Sequence, residues 1–274
     1  MIKKCVKYNK RGQITIFIIL GVVLIGAIAA FFAFKGNPAI SIGGKEERNP
    51  ESFLNSCIKD KLREAIDEVS LSGGYIDGSP SINYSFSGEG FRRITYLCYT
   101  QNYYDSCINQ KPLFTQDIKQ EIKTQISSYI KGCFDEMEQS FSQDNNQVSL
   151  QYRDFEVEMA PKKVVIKTDS DVALTKNDQT TTYKDLEVNF PSKLYELTRL
   201  AQEIVNQEAR FCYAEILGIG ITYPEFIINK FDSIGSEIYT IKHRESGEEF
   251  RFAVRGCVIP PGLGASTEKT AVSQ

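Results

Sequence analysis

Cysteine is the residue type in this chain best placed to do chemistry. Seven occur in 274 residues, at 5, 57, 98, 107, 133, 212 and 257. None stands in a CxxC pair, which excludes zinc-ribbon and thioredoxin-type sites on spacing. An uncharged apolar run separates Cys5 from the other six. An even number of thiols beyond that run is what an oxidising compartment gives; the alternative is six buried free thiols. Six cysteines allow 15 pairings, and context orders them. Cys98 and Cys107 bracket a short loop and form the first expected pair. Cys57 and Cys133 each fall on the apolar stripe of an expected helix, so they can meet where two stripes face each other. Cys212 with Cys257 completes the set.

Other chemistry is sparse. The single histidine, His243, lies between Lys242 and Arg244 in an expected strand and reads as an exposed structural residue. GxSxG and HExxH are absent, and Gly218-Ile219-Gly220 lacks the further glycine and lysine of a phosphate loop. Asp169-Ser170-Asp171 opens like a calcium loop but lacks Gly at the sixth place and Glu at the twelfth. Glu46-Glu47 and Glu248-Glu249 read as solvated faces. The sequence therefore assigns no catalytic residue, metal site or cofactor, and the expectation is a non-enzyme. Two recognition features stand out. Tyr99, Tyr103 and Tyr104 crowd the Cys98–Cys107 loop, where they either form a binding surface or pack on a neighbouring helix. Asn83-Tyr84-Ser85 is an N-glycosylation sequon.

The elements that must position these residues begin with the stretch from Gln13 to Phe34. From Ile14 onward it gives a helix of roughly 31 Å, enough to cross a bilayer core of about 30 Å. Lys3, Lys4, Lys7, Lys10 and Arg11 precede it without an acidic residue, which places the N-terminus in the cytoplasm and residues 35–274 outside. The chain's net charge is −3, so removing those five cations leaves the remainder at −8, which argues against nucleic acid as a partner. Residues 1–12 are thus a basic cytoplasmic segment and 13–34 a transmembrane helix that engages lipid. A further reading is an ordinary secretory signal cut before Ala30, after Ala27-Ile28-Ala29. Residues 35–49 form a linker, 50–259 an outer domain with an optional division near 145, and 260–274 a disordered tail.

Within the outer domain, Asn49 and Pro50 start a helix to about Leu71, with Leu54, Ile58, Leu62, Ala65, Ile66 and Val69 as its stripe and Gly73-Gly74 as its stop. A second helix is expected from Thr115, striped by Ile118, Ile122, Ile126, Ile130, Cys133 and Met137 and ended by the polar stretch 139–147. A third runs from Pro191-Ser192 to about Leu217, with Gly218 as its stop and Glu208 on its wet side. Alternation over 155–159, 164–168 and 186–190 predicts an antiparallel meander, with further strands over 94–100, 238–242 and 249–254.

Lys10-Arg11-Gly12-Gln13-Ile14-Thr15-Ile16-Phe17 resembles the class III signal peptide of archaeal type IV pilin-like proteins, and the overall layout is similar to that of uncharacterised single-span archaeal membrane proteins. The resemblance covers about 25 residues. It implies processing between Gly12 and Gln13 and retention of the apolar helix. Phe17 stands where pilins carry the Glu that registers subunits in a filament, and Gly36-Asn37-Pro38 and Gly43-Gly44 break a helix that pilins continue.

The expected fold is α+β: a transmembrane helix, then about three helices packed on antiparallel sheet. The expected function is that of a single-pass, membrane-anchored cell-surface protein with a structural, adhesive or pilin-like role, engaging a protein or surface polymer. The second reading is an anchored receptor without catalysis. Gly26-xxx-Ala30 and Ala29-xxx-Ala33 would let two copies of the span approach as a homo-oligomer.

Overall fold

The structure is a computed structural model that describes residues 19, 21–22, 24–25, 49–78, 80–102, 105–143 and 147–256. Gly12, Gln13, Tyr103, Tyr104, Cys257, the tail 260–274 and most of 13–34 and the linker lie outside these. The chain divides into two compact units, Met1–Glu47 and Arg48–Gln274. In the first, Ile19, Gly21, Val22, Leu24 and Ile25 are helical, and the four with side chains are exposed. Among the described residues, no helix is long and apolar enough to cross a membrane.

The second unit is α+β. Helix α1 (Pro50–Leu71) starts where Asn49 Oδ1 accepts the Glu51 N–H at 2.9 Å. It stops where Gly73 and Gly74 turn to φ +81° and +86° and Gly74 N–H closes onto Val69 O at 2.8 Å, a conformation that glycine reaches without a Cβ penalty. Its whole predicted stripe is buried. Helix α2 (Phe114–Ser142) starts one residue before Thr115 and ends at Ser142, within the polar stretch 139–147. Phe134 and Phe141 add to the stripe and keep the last turns buried. The two helices are antiparallel: Cys57 is bonded to Cys133, Phe53 meets Phe141 at 5.6 Å, and Tyr75, just past α1, donates to Asp117 in the first turns of α2.

Two sheets pack against this pair. Four strands, β4 (Gln147–Ala160), β5 (Lys163–Lys176), β6 (Gln179–Lys184) and β7 (Glu187–Pro191), form an antiparallel sheet in which β4 covers one edge of β5, and β6 and β7 share the other. The remaining strands are β1 (Ser81–Phe86), β2 (Gly90–Tyr99), β3 (Ile108–Asn109), β8 (Phe226–Ser233), β9 (Ser236–His243) and β10 (Glu249–Arg255). Their order is β1-β2-β10-β9-β8, with β3 also on β2. This corrects the all-antiparallel expectation, because β2 and β10 pair in parallel. Parallel neighbours need a long crossover, and here nearly the whole domain lies between them.

The third helix is also corrected. It breaks into α3 (Leu194–Phe211) and α4 (Ile216–Thr222). Cys212 takes a left-handed conformation at φ +52°, its N–H bonded to Glu208 O at 3.0 Å, and Gln207 Oε1 accepts the Glu215 N–H at 2.8 Å. These contacts turn the chain six residues before Gly218, which lies inside α4.

One continuous apolar core joins α1, α2 and α3 to both sheets. A smaller cluster of Ile94, Tyr96, Ile238 and Ala253 occupies the other face of the β1–β10 sheet. That sheet curls, since Tyr84 and Phe86 of one edge strand meet Phe231 of the other at 6.2 and 6.4 Å.

Candidate functional site

The disulfides fix the frame. Cys57–Cys133 joins α1 to α2 with Cα atoms 6.0 Å apart, and Cys98–Cys107 closes the loop between β2 and β3 at 5.3 Å. These are the pairs suggested by the facing stripes and by the short loop. Cys212 is also disulfide-bonded; the Cys257 end of its expected pair lies outside the described residues.

Tyr99 is half-buried. It packs edge-on against Tyr96 at 5.1 Å, with the Arg255 guanidinium over its face at 5.6 Å. Asn83 is exposed on β1. His243 is buried at 4 %, which corrects the exposed reading. Its ring lies 5.3 Å from that of Phe226, and its Nδ1 accepts the Ser246 N–H at 3.1 Å with Ser246 Oγ at 3.0 Å. The imidazole thereby closes the β9–β10 turn. Glu248 and Glu249 are corrected too. Glu248 accepts from Ser192 Oγ at 2.6 Å and Lys193 N–H at 2.8 Å, placing its charge at the start of α3, where the helix dipole favours an anion. Glu249 pairs with Arg251, whose side chain is nearly buried and is gripped through two nitrogens by Glu89 at 2.7 and 2.8 Å.

Among the described residues, two cavities carry carboxylates on their walls. One, of about 390 Å³, lies between α1, the end of β7 and the β9–β10 turn, with Arg63, Asp67, Ser246 and Glu248 on its walls. Burial and the nearby Glu248 raise the Asp67 carboxyl above the usual range. The other, of about 300 Å³, lies under the β8–β9 turn and is walled by Glu208, Asp232, Ser236 and Glu237. Glu208 is 2 % exposed, so the wet-side reading of this residue is wrong. The Tyr239 hydroxyl donates to Glu208 Oε1 and lies 3.1 Å from Glu237 Oε2, while Lys230 Nζ donates to Glu237 Oε1 at 2.6 Å. A hydroxyl has one proton for two carboxylates. The cluster is fully satisfied when Glu208 keeps its own proton, and burial together with the Glu237 charge pushes the Glu208 carboxyl up to about 7. The tyrosine ring stacks on Phe252 at 5.2 Å.

The Glu208 cluster was missed by sequence reasoning, although a signal was present. Glu208 follows Ala201 and Ile204 at steps of three and four, in phase with the buried stripe of α3. Chemically, such a pair can hold or release one proton near neutrality. Among the described residues, no group of three His, Cys, Asp or Glu side chains is placed to hold a metal ion.

Comparison with family models, curated proteins and solved structures finds no match to this chain.

Proposed function

We propose that this chain is a single-pass, membrane-anchored cell-surface protein whose outer domain acts by contact, in a structural, adhesive or pilin-like role. The observation that carries the reading is the cross-linked frame. Cys57–Cys133 ties the two longest helices of the domain together, as suits an oxidising exterior, and it follows an uncharged 22-residue run with a purely basic flank. The second reading, a receptor without catalysis, draws on the two cavities with charged walls.

Trypsin added to intact cells tests the topology. The expected result is cleavage at Lys35, Lys45 or Arg48 and release of a fragment that still carries the Cys57–Cys133 bond on a non-reducing gel. A chain protected until the cells are lysed would refute the proposal. Filaments under electron microscopy would select the pilin-like role, and a small ligand co-purifying with the full chain would select the receptor.

A further inference from the structure

Asn83-Tyr84-Ser85 is the one Asn-x-Ser/Thr triplet in the chain with a central residue other than proline, the acceptor pattern for N-linked sugar. So short a pattern also arises by chance, and its placement in the fold decides whether it can be used. All three residues lie in β1, in extended backbone. Successive side chains of a strand point to opposite faces. Asn83 and Ser85 are exposed on one face; Tyr84 turns to the other, its ring 4.7 Å from that of Phe86 and 6.2 Å from that of Phe231. Among the described residues β1 pairs only with β2, so its far side is open.

The surface around Asn83 is clear. Arg93 is its partner across the ladder and is held elsewhere. The guanidinium donates to Ser81 Oγ at 2.8 Å and to Gly78 O at 2.9 Å, and lies 3.7 Å from Asp77 Oδ1. Ser85 faces Phe91, which is 81 % exposed. Asparagine is depleted from strands, and the other strand asparagines among the described residues all use their side chains. Asn109 Oδ1 accepts the Lys111 N–H, Asn189 accepts from Lys163 and donates to Glu187, and Asn229 donates to Thr240 Oγ1. Asn83 is the exception. Its amide has no hydrogen bond among the described residues, and neither has the Ser85 hydroxyl. Nothing in the fold asks for asparagine here, where a β-branched residue would suit the strand better.

We propose that Asn83 carries an N-linked glycan. The inference rests on the outward placement proposed above. The donor is an oligosaccharide linked to a polyprenyl phosphate, and the transfer is a substitution at the sugar. Asn83 Nδ2 forms a bond to the anomeric carbon. The bond from that carbon to the lipid phosphate oxygen breaks, its electron pair leaves with the phosphate, and the proton lost from Nδ2 balances the charge. The Ser85 hydroxyl, unbonded in the fold, is the group that the transferring enzyme reads two places on. An edge strand keeps the triplet extended and approachable, and the glycan projects from the face opposite the Tyr84, Phe86 and Phe231 rings.

Trypsin cuts after Arg63 and Arg92, so Asn83 travels on one peptide, residues 64–92, which holds no cysteine and no other asparagine. The full chain is purified from the membranes of the cells that make it, and this peptide is weighed by mass spectrometry beside those of Asn83→Gln, Ser85→Ala and Ser85→Thr. Wild type and Ser85→Thr should show the peptide shifted up by a ladder of sugar masses. Asn83→Gln and Ser85→Ala should show it at its bare mass. Should a variant fail to accumulate, fragmentation that leaves the first sugar on Asn83 locates it in wild type alone. A bare wild-type peptide, from a chain that trypsin reaches on intact cells, would overturn the glycan and leave the outward placement standing. A bare peptide from a chain protected until lysis would overturn both. A sugar mass that persists in Asn83→Gln would assign it to a neighbouring serine and overturn the proposal.

Discussion

Replacing Glu208 by glutamine should stabilise the α+β domain above neutral pH and leave it nearly unchanged in acid. In the folded chain this carboxyl is raised from 4.5 to about 7, by burial first and by the Glu237 charge second. A carboxyl raised on folding binds more protons in the native state than in the unfolded state between those two values. Stability from this group is therefore intact below about 4.5 and lost as pH climbs through about 7. The interval corresponds to about 3 kcal/mol at most, and roughly 2–4 °C per kcal/mol is usual for a domain of this size. Glutamine keeps an oxygen to accept from Tyr239 and adds a donor for Glu237, with no charge to bury. Thermal melts of wild type and Glu208→Gln between pH 4 and 8.5 should diverge with rising pH until the variant melts several degrees higher, roughly 6–12 °C at the limit. Other shifted carboxyls, such as Asp67 (raised) and Glu89 (lowered), occur in both proteins and cancel in the difference. Parallel curves across the range, or a variant less stable at pH 8, would refute the shared-proton account.

Three further outcomes are expected. Cys57→Ser or Cys133→Ser should lower the melting temperature more than Cys107→Ser, because the bridges span 76 and 9 residues, worth about 4.5 and 2.6 kcal/mol of unfolded-chain entropy in the loop model; differential scanning calorimetry decides. Ile234→Asn should stabilise by about 1 kcal/mol, since the β8–β9 turn puts a β-branched residue at φ +48° ahead of Gly235 at +70°, where Asn-Gly is preferred; urea titration reads it. Gly74→Ala should cost about 1–3 kcal/mol by the same assay, because a Cβ would combine φ +86° with a 2.8 Å approach to the Phe114 ring.

What was legible in the sequence had a local signature. The stripes of α1 and α2 repeat every three or four residues, and that period placed Cys57 and Cys133 on faces that had to be buried. Asn49 and Gly73-Gly74 punctuate α1 through cap chemistry that depends only on near neighbours. The misses follow from non-local causes or conflicting local ones. The parallel β2–β10 pair leaves no trace in either strand, because its partner is at the far end of the domain. Helix α4 was hidden because Gly218 and Gly220 suggest a stop, whereas the actual stop is a left-handed cysteine whose N–H bonds back to Glu208. His243 was misjudged from its charged neighbours, although alternation along β9 turns Lys242 outward and the imidazole inward. Glu208 was assigned by residue type against the period of its own helix.

The curled sheet also has a consequence for how the domain is made. Glu89 and Arg251, 162 positions apart, meet across it, and β2 has no partner on one side until β10 is available. Synthesis from the N-terminal end makes α1, the β1–β2 hairpin and α2 available to fold while β10 is still being translated. During that interval the β2 edge is an open template for mispairing. The Cys57–Cys133 bond needs only α1 and α2, so it can close early and hold the helical half in register while the open strand waits.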